Sequence, residues 1–231
     1  MFLNKKNIEL IVKGNNIQSS ISAAVRFSNL DTIRKKTIIF PGGNSPSLFF
    51  KHVSRIKQDW GKLTILPSDE RLVPVTDKNS NYRTIKKLCL DKIDPPLRPR
   101  LFDFNKPIDQ INTLISKLPF PSIAILGFGT DGHTASLFPG TDMDELDRNK
   151  YVVKVKNDWE PFERISLTIN YILKSNIILF LLNGQEKAKA LSETLTAKYD
   201  PDKWPVQYIL KKYTGNIYIY CDDASVSMLP N

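Results

Sequence analysis

The feature that most constrains this chain is a set of short runs built from aliphatic, β-branched and aromatic residues at nearly every position: residues 37–40, 63–66, 123–126, 177–182 and 217–220. A strand with one wet face alternates apolar and polar residues, whereas a run that is apolar on both alternations belongs to a strand covered on both sides. Helical stripes fill the intervals. Ile17, Ile21, Ala24, Val25 and Ser28 share one face of a first helix, and Leu48, Phe49, Val53 and Ile56 one face of a second. Ile85, Leu88 and Cys89 form a third stripe. Ile108, Ile111, Leu114, Ile115 and Leu118 form a fourth, and Ala188, Leu191 and Leu195 a fifth. Strand followed by helix, repeated, predicts an α/β fold with a mostly parallel, doubly wound sheet and helices on both faces. Pro, Gly and Ser are dispersed with no linker-like tract, so residues 1–231 are expected to form a single domain, long enough to bury a full core.

In sheets of this kind ligands bind in the crevice at the carboxyl ends of the strands. Four polar or glycine-rich clusters directly follow the proposed strands and should converge there. The first holds Pro41, Gly42, Gly43, Asn44, Ser45 and Pro46. Adjacent glycines turn tightly and approach a ligand closely. Asn44 or Ser45 can cap the following helix, with Pro46 in its first turn, and free amides at a helix start suit a phosphate. A tight strand-to-helix turn without any ligand would use the same residues.

The second cluster is Ser68, Asp69, Glu70 and Arg71. Arg71 can fork onto a carboxylate or phosphate and Asp69 can accept from sugar hydroxyls; a surface Asp69–Arg71 pair is the plainer reading. The third spans residues 127–134 and carries His133, one of only two histidines. A neutral imidazole can take a proton from water as that water attacks a carbonyl. Asp131 is close enough in sequence to orient the ring or a nearby hydroxyl. His52, within the second helical stripe, reads as a structural or surface residue. Metal binding would need more histidines or a set of carboxylates. The fourth cluster ends at Lys187, placed in the first turn of a helix, where a cation opposes the dipole unless something negative lies nearby. An ordinary exposed lysine explains it equally. Arg164 is one more candidate cation. No GxSxG elbow and no Cys–His pairing is evident, so water is expected to attack directly.

The formal net charge of +9 comes from 33 Lys and Arg against 24 Asp and Glu. Its densest pieces, residues 34–36 and 211–212, are too short for a nucleic-acid arm, and no zinc-finger or RNP-like pattern accompanies them. The charge fits a solvated basic surface that favours encounter with an anionic small molecule. Cys89 and Cys221 lie far apart and outside any CxxC, which points to a reducing compartment. The amino terminus has no apolar signal core, and the longest apolar run is too short to span a bilayer. A cytoplasmic protein with no membrane or nucleic-acid partner is expected; the sequence names no protein partner.

Taken together, these residues resemble the 6-phosphogluconolactonase family. Its Ser-Gly-Gly-Ser-Thr-Pro loop is similar to residues 41–46. Its Asp-Glu-Arg-x-Val-Pro motif and following Ser-Asn-Tyr are matched by residues 69–74 and 80–82. Residues 131–140 read Asp-Gly-His-Thr-Ala-Ser-Leu-Phe-Pro-Gly and match the family's most specific stretch without a change. Residues 164–168 and 184–188 resemble two further segments, in family order. The resemblance implies a fold like that of ribose-5-phosphate isomerase and glucosamine-6-phosphate deaminase. It implies hydrolysis of 6-phospho-D-glucono-1,5-lactone in the oxidative pentose phosphate pathway, without an organic cofactor; the residues themselves already speak against a metal. It implies His133 as general base, with the glycine loop, Arg71, Arg164 and Lys187 holding phosphate and sugar. Pro41, Asn44 and Ser45 depart from the loop's pattern; Asn44 and Ser45 keep hydrogen-bonding groups, and Pro41 keeps neither hydroxyl nor N–H. The rival on the same scaffold is an amino-sugar deaminase or sugar-phosphate isomerase, for which Asp69 would serve as base.

Overall fold

The computed structural model describes residue 2 and residues 5–29, 36–43, 46–143, 150–156 and 161–230. In chain order, the first half runs through β1 (Ile8–Lys13), α1 (Asn16–Ser28), β2 (Lys36–Phe40), α2 (Ser47–Val53), β3 (Leu63–Pro67), β4 (Asp69–Arg71) and α3 (Asn81–Leu88). The middle adds β5 (Arg100–Leu101), α4 (Ile108–Ile115), β6 (Pro121–Gly127), β7 (Val152–Val155) and β8 (Arg164–Leu167). The last third holds α5 (Ile169–Ile172), β9 (Ile177–Leu182), α6 (Ala188–Thr196), α7 (Val206–Lys212), β10 (Asn216–Asp222) and α8 (Asp223–Val226).

Seven strands form a wholly parallel sheet in the order β1-β10-β9-β6-β2-β3-β5. The chain winds outward from β2 through β3 to β5, then returns to the other side of β2 at β6 and winds the opposite way. The crevice between β2 and β6 is therefore a topological switch point, where such sheets bind ligands.

The alternation of strand side chains explains the double burial. Ile38, Phe40, Ile123, Ile125, Leu179 and Leu181 point to one face and pack with α1, α2 and α3. Their neighbours Ile39, Ala124, Leu126, Ile178, Phe180 and Leu182 point to the other and pack with α4, α6 and α7. Strands β2, β6 and β9 thus each feed two cores, which is why their sequences carry no polar alternation.

The first helix presents a different face to the core from the one its stripe predicts. Ile17, Ile21 and Val25 are 51%, 41% and 56% exposed, while Ser19, Ser20, Ala23, Ala24 and Phe27 are buried. Small residues let α1 lie close on α2 and the sheet, and Phe27 enters an aromatic cluster with Phe40, Phe49 and Trp60. Burying one large ring among others outweighs the aliphatic stripe. In α2, Phe49, Phe50 and Val53 are buried and Ile56 lies beyond the helix end. Pro46 is the residue before α2 rather than in its first turn, and its own side chain makes no capping hydrogen bond; the expected caps Asn44 and Ser45 lie outside the described residues.

A second sheet was not visible in the sequence. Its three antiparallel strands run in the order β4-β8-β7. The sheet begins two residues beyond the end of β3, so it stands at the carboxyl edge of the large sheet and brings β8 beside the strand-end loops.

Candidate active site

The four clusters that follow β2, β3, β6 and β9 do converge. These strands are consecutive in the sheet, and their loops line one open cleft of about 150 Å³. Gly42 and Gly43 enter it after β2, Asp69 and Arg71 after β3, His133 after β6 and Lys187 after β9. Arg164 reaches it from β8. Asn44 and Ser45 lie outside the described residues. His52 sits in α2 and does not line the cleft.

His133 is held by its own loop. Its Nδ1 lies 2.5 Å from Asp131 Oδ1, and its backbone N–H donates to the same oxygen at 3.2 Å. With Nδ1 committed to the carboxylate, Nε2 is the ring nitrogen left to act on a ligand. Burial pushes the Asp131 carboxyl up, but the hydrogen bond and charge of His133 prevail and hold it below the ordinary aspartate value. The loop closes where the Gly129 N–H donates to the His133 carbonyl at 2.8 Å. Thr134 Oγ1 anchors it to the Gly127 carbonyl at 2.9 Å. Phe138 supports the imidazole with ring centroids 4.9 Å apart.

Two residues further on, Ala135 adopts a left-handed backbone with φ of 52°. L-residues with a side chain rarely do so, and the turn it makes carries Ser136 back toward Asp69. Ser136 Oγ donates to Asp69 Oδ2 at 2.6 Å, and its N–H donates to Ser166 Oγ at 3.2 Å.

Asp69 pairs with Arg164 at 3.4 Å, not with Arg71. Its carboxylate also accepts from Ser68 Oγ at 3.0 Å and Asn81 Nδ2 at 3.2 Å. The residue is buried, and its oxygens are engaged from several sides at once. Across the antiparallel register, Arg71 stands directly opposite Arg164. Like charges facing one another across a ladder are unfavourable, so this pairing suits a position where an anion is to be received.

The residues that sequence reasoning passed over are Glu70 and Asn81. Glu70 is buried, and its carboxylate accepts from the backbone N–H groups of Arg71, Asn81 and Tyr82 and from Ser80 Oγ, at 2.7–3.0 Å. Burial pushes its carboxyl above the ordinary glutamate value, against the downward pull of those four donors. It thereby ties the amino end of α3 to β4, where helix amides need acceptors. The signal was present in the Ser80-Asn81-Tyr82 match but carried no role without the fold.

Lys187 closes a 3-10 turn (Gln185–Lys187) just before α6, rather than lying in the first turn of that helix. Burial lowers its ammonium below the ordinary lysine value, against the opposing pull of Glu186 and Asp131. Among the described residues, no group of three or more His, Cys, Asp or Glu side chains is gathered to hold a metal ion. No helix among them is long and apolar enough to cross a membrane.

An oriented imidazole and a bank of cations thus meet at the switch point of an α/β sheet. The family described as glucosamine-6-phosphate isomerases/6-phosphogluconolactonase matches residues 15–219. This chain belongs to that family. It is 32% identical over 188 residues to the 6-phosphogluconolactonase of a Synechocystis strain, covering 75% of this chain and 77% of that one. It is 32% identical over 205 residues to the Haemophilus influenzae 6-phosphogluconolactonase, covering 83% and 87%. In three dimensions it is similar to a crystal structure of a 6-phosphogluconolactonase from Shewanella baltica. That likeness has a TM-score of 0.84 at 22% identity and covers 94% of this chain and 98% of that one.

Proposed function

We propose that this protein hydrolyses 6-phospho-D-glucono-1,5-lactone to 6-phospho-D-gluconate, the lactone-opening step of the oxidative pentose phosphate pathway, with His133 activating the water. The observation that carries the proposal is that His133, oriented by Asp131 from outside the cleft lining, shares one cleft with the Gly42–Gly43 turn, Arg71, Arg164 and Lys187. The cations and the glycine turn hold the phosphate and sugar, which sets the lactone carbonyl beside the imidazole. Nε2 of His133 takes a proton from water as the water oxygen bonds to C1, and a tetrahedral oxyanion forms. The carbonyl then reforms, the bond from C1 to the ring oxygen breaks, and the imidazolium delivers its proton to that departing oxygen. Asp131 supports the charge on the ring throughout. A six-membered lactone also opens unaided in water, so the barrier to be removed is modest and general-base catalysis with positioning suffices.

The reading extends to residues 1–231 as one domain acting on a small sugar phosphate, with neither nucleic acid nor membrane as partner. Both cysteines are free and buried, their thiols pushed up to about 12 by burial. A reducing, cytoplasmic setting belongs to the same proposal.

The family also contains isomerases of amino-sugar phosphates. That chemistry needs a base beside C2 of an open-chain sugar, and Asp69 is the carboxylate in place to provide it. Its oxygens are occupied by Ser68, Asn81, Ser136 and Arg164, which favours lactone hydrolysis. The test is a coupled assay on freshly generated lactone, read against the spontaneous rate. Wild-type protein should exceed that background by orders of magnitude and release no ammonia from glucosamine 6-phosphate. Ammonia release without lactone opening would overturn the assignment.

A further inference from the structure

We propose that Asn81 is the positioning residue of the phosphate subsite, tying the glycine turn to Arg71 at a fixed separation before an anion reaches them. The inference rests on the reading that phosphate is received between the glycine turn and Arg71. Asn81 Oδ1 accepts from the Gly43 N–H at 3.2 Å and from Arg71 Nη1 at 3.1 Å. One oxygen thereby ties the loop to the guanidinium and sets their separation.

The amide cannot flip. Its Nδ2 donates to the Asp69 carbonyl at 2.8 Å and to Asp69 Oδ1 at 3.2 Å, so nitrogen and oxygen are assigned by their partners. Its backbone is fixed as well, because the Asn81 N–H donates to Glu70 Oε1 at 2.7 Å. The side chain lies so close to the turn that a β-carbon on Gly42 would fall 2.1 Å from it. Asn81 is therefore packed into the turn as well as bonded to it. Arg71 Nη1 also donates to the Asn79 carbonyl at 2.8 Å, while its buried Nε has no acceptor among the described residues. Arg71 lines the cleft as a clamped guanidinium, which is what a receiving site for an anion requires. By fixing the turn relative to Arg71, Asn81 removes the ordering cost that binding would otherwise meet.

The test compares wild-type protein with Asn81→Ala and Asn81→Ser. A serine side chain is too short to reach Gly43 and Arg71 together, yet suits the start of a helix, so it carries the test should the alanine variant fold poorly. The kinetics of lactone opening and the calorimetric affinity for inorganic phosphate are measured on each. Both variants should raise KM and the phosphate Kd by the same factor, about 10–100-fold, with kcat within about threefold of wild type. A merely structural role would instead lower kcat by disturbing the His133 loop and leave the two affinities uncoupled. Phosphate affinity within twofold of wild type in both variants, or a fall in kcat at constant KM, would overturn the inference. Absence of lactone opening by the wild-type protein would strike only the proposed reaction, because phosphate binding is read separately.

Discussion

The imidazole of His133 occupies the space in which residue 129 would carry a side chain: a β-carbon on Gly129 would lie 2.2 Å from His133 Nδ1 and 2.4 Å from Asp131 Oδ1. The glycine is thus a requirement of the histidine–aspartate pair rather than of the turn alone. Gly129→Ala should leave the fold and KM nearly intact while lowering kcat about 100-fold, since small misplacements of a reacting group cost that much. Steady-state kinetics with a melting curve check it; unchanged kcat would mean the pair is free to shift.

His133→Ala should lower turnover by ~10²–10⁴-fold with substrate affinity little affected. Asp131→Asn removes the charge but keeps the shape. It should cost about 10–100-fold in kcat, the worth of a hydrogen bond to a charged group. Near-native turnover in the alanine variant would remove His133 from the chemistry.

The Asp131 carboxyl sits below its ordinary value because His133 favours the ionised form against the effect of burial. The sign follows from linkage: the stabilisation is present above the ordinary aspartate value and is lost as pH falls through the lowered one. Acid titration of Asp131→Asn against wild type should therefore show the wild-type protein losing more stability in that acid window.

Lys187 is lowered as well, by burial, and the consequence falls on binding. Its ammonium loses its proton at a lower pH than an ordinary lysine. KM for the phosphorylated lactone, corrected for spontaneous opening, should rise on the alkaline side before ordinary lysines titrate. Lys187→Ala should abolish that limb of the pH profile; a limb that persists would assign it to another group.

Glu70→Gln places an NH2 group among donors that now point at a carboxylate oxygen. Leaving a buried donor unsatisfied costs about 1–3 kcal/mol. For a chain of this size the melting temperature should drop by roughly 2–12 °C. A shift under one degree would mean that α3 does not depend on this carboxylate.

The large sheet was legible because its strands feed two cores, so residues such as Ile38 and Ile39 are both apolar and announce a doubly covered strand. Its strand-end clusters told where a site would form. The small sheet was hidden because β4 is Asp-Glu-Arg, and a three-residue charged strand exists only through its pairing with β8. The buried face of α1 was misread because the helix packs through small residues and one phenyl ring, which hydrophobic counting undervalues. Glu70 and Asn81 join β4 to the start of α3, and Asn81 reaches on to Gly43; the motifs that hold them were matched, but which side chain bonds to which is decided only by the fold.

The opposition of Arg71 and Arg164 on neighbouring strands has a consequence for how the protein behaves in a test tube. A dianion seated between them would act as a clip across β4 and β8, so occupancy would toughen the fold as well as start the reaction. Stability grows with the logarithm of ligand concentration once that exceeds Kd. Two laboratories melting the same preparation, one in phosphate and one in a zwitterionic buffer, should therefore disagree on its midpoint, and the size of their disagreement measures the cleft.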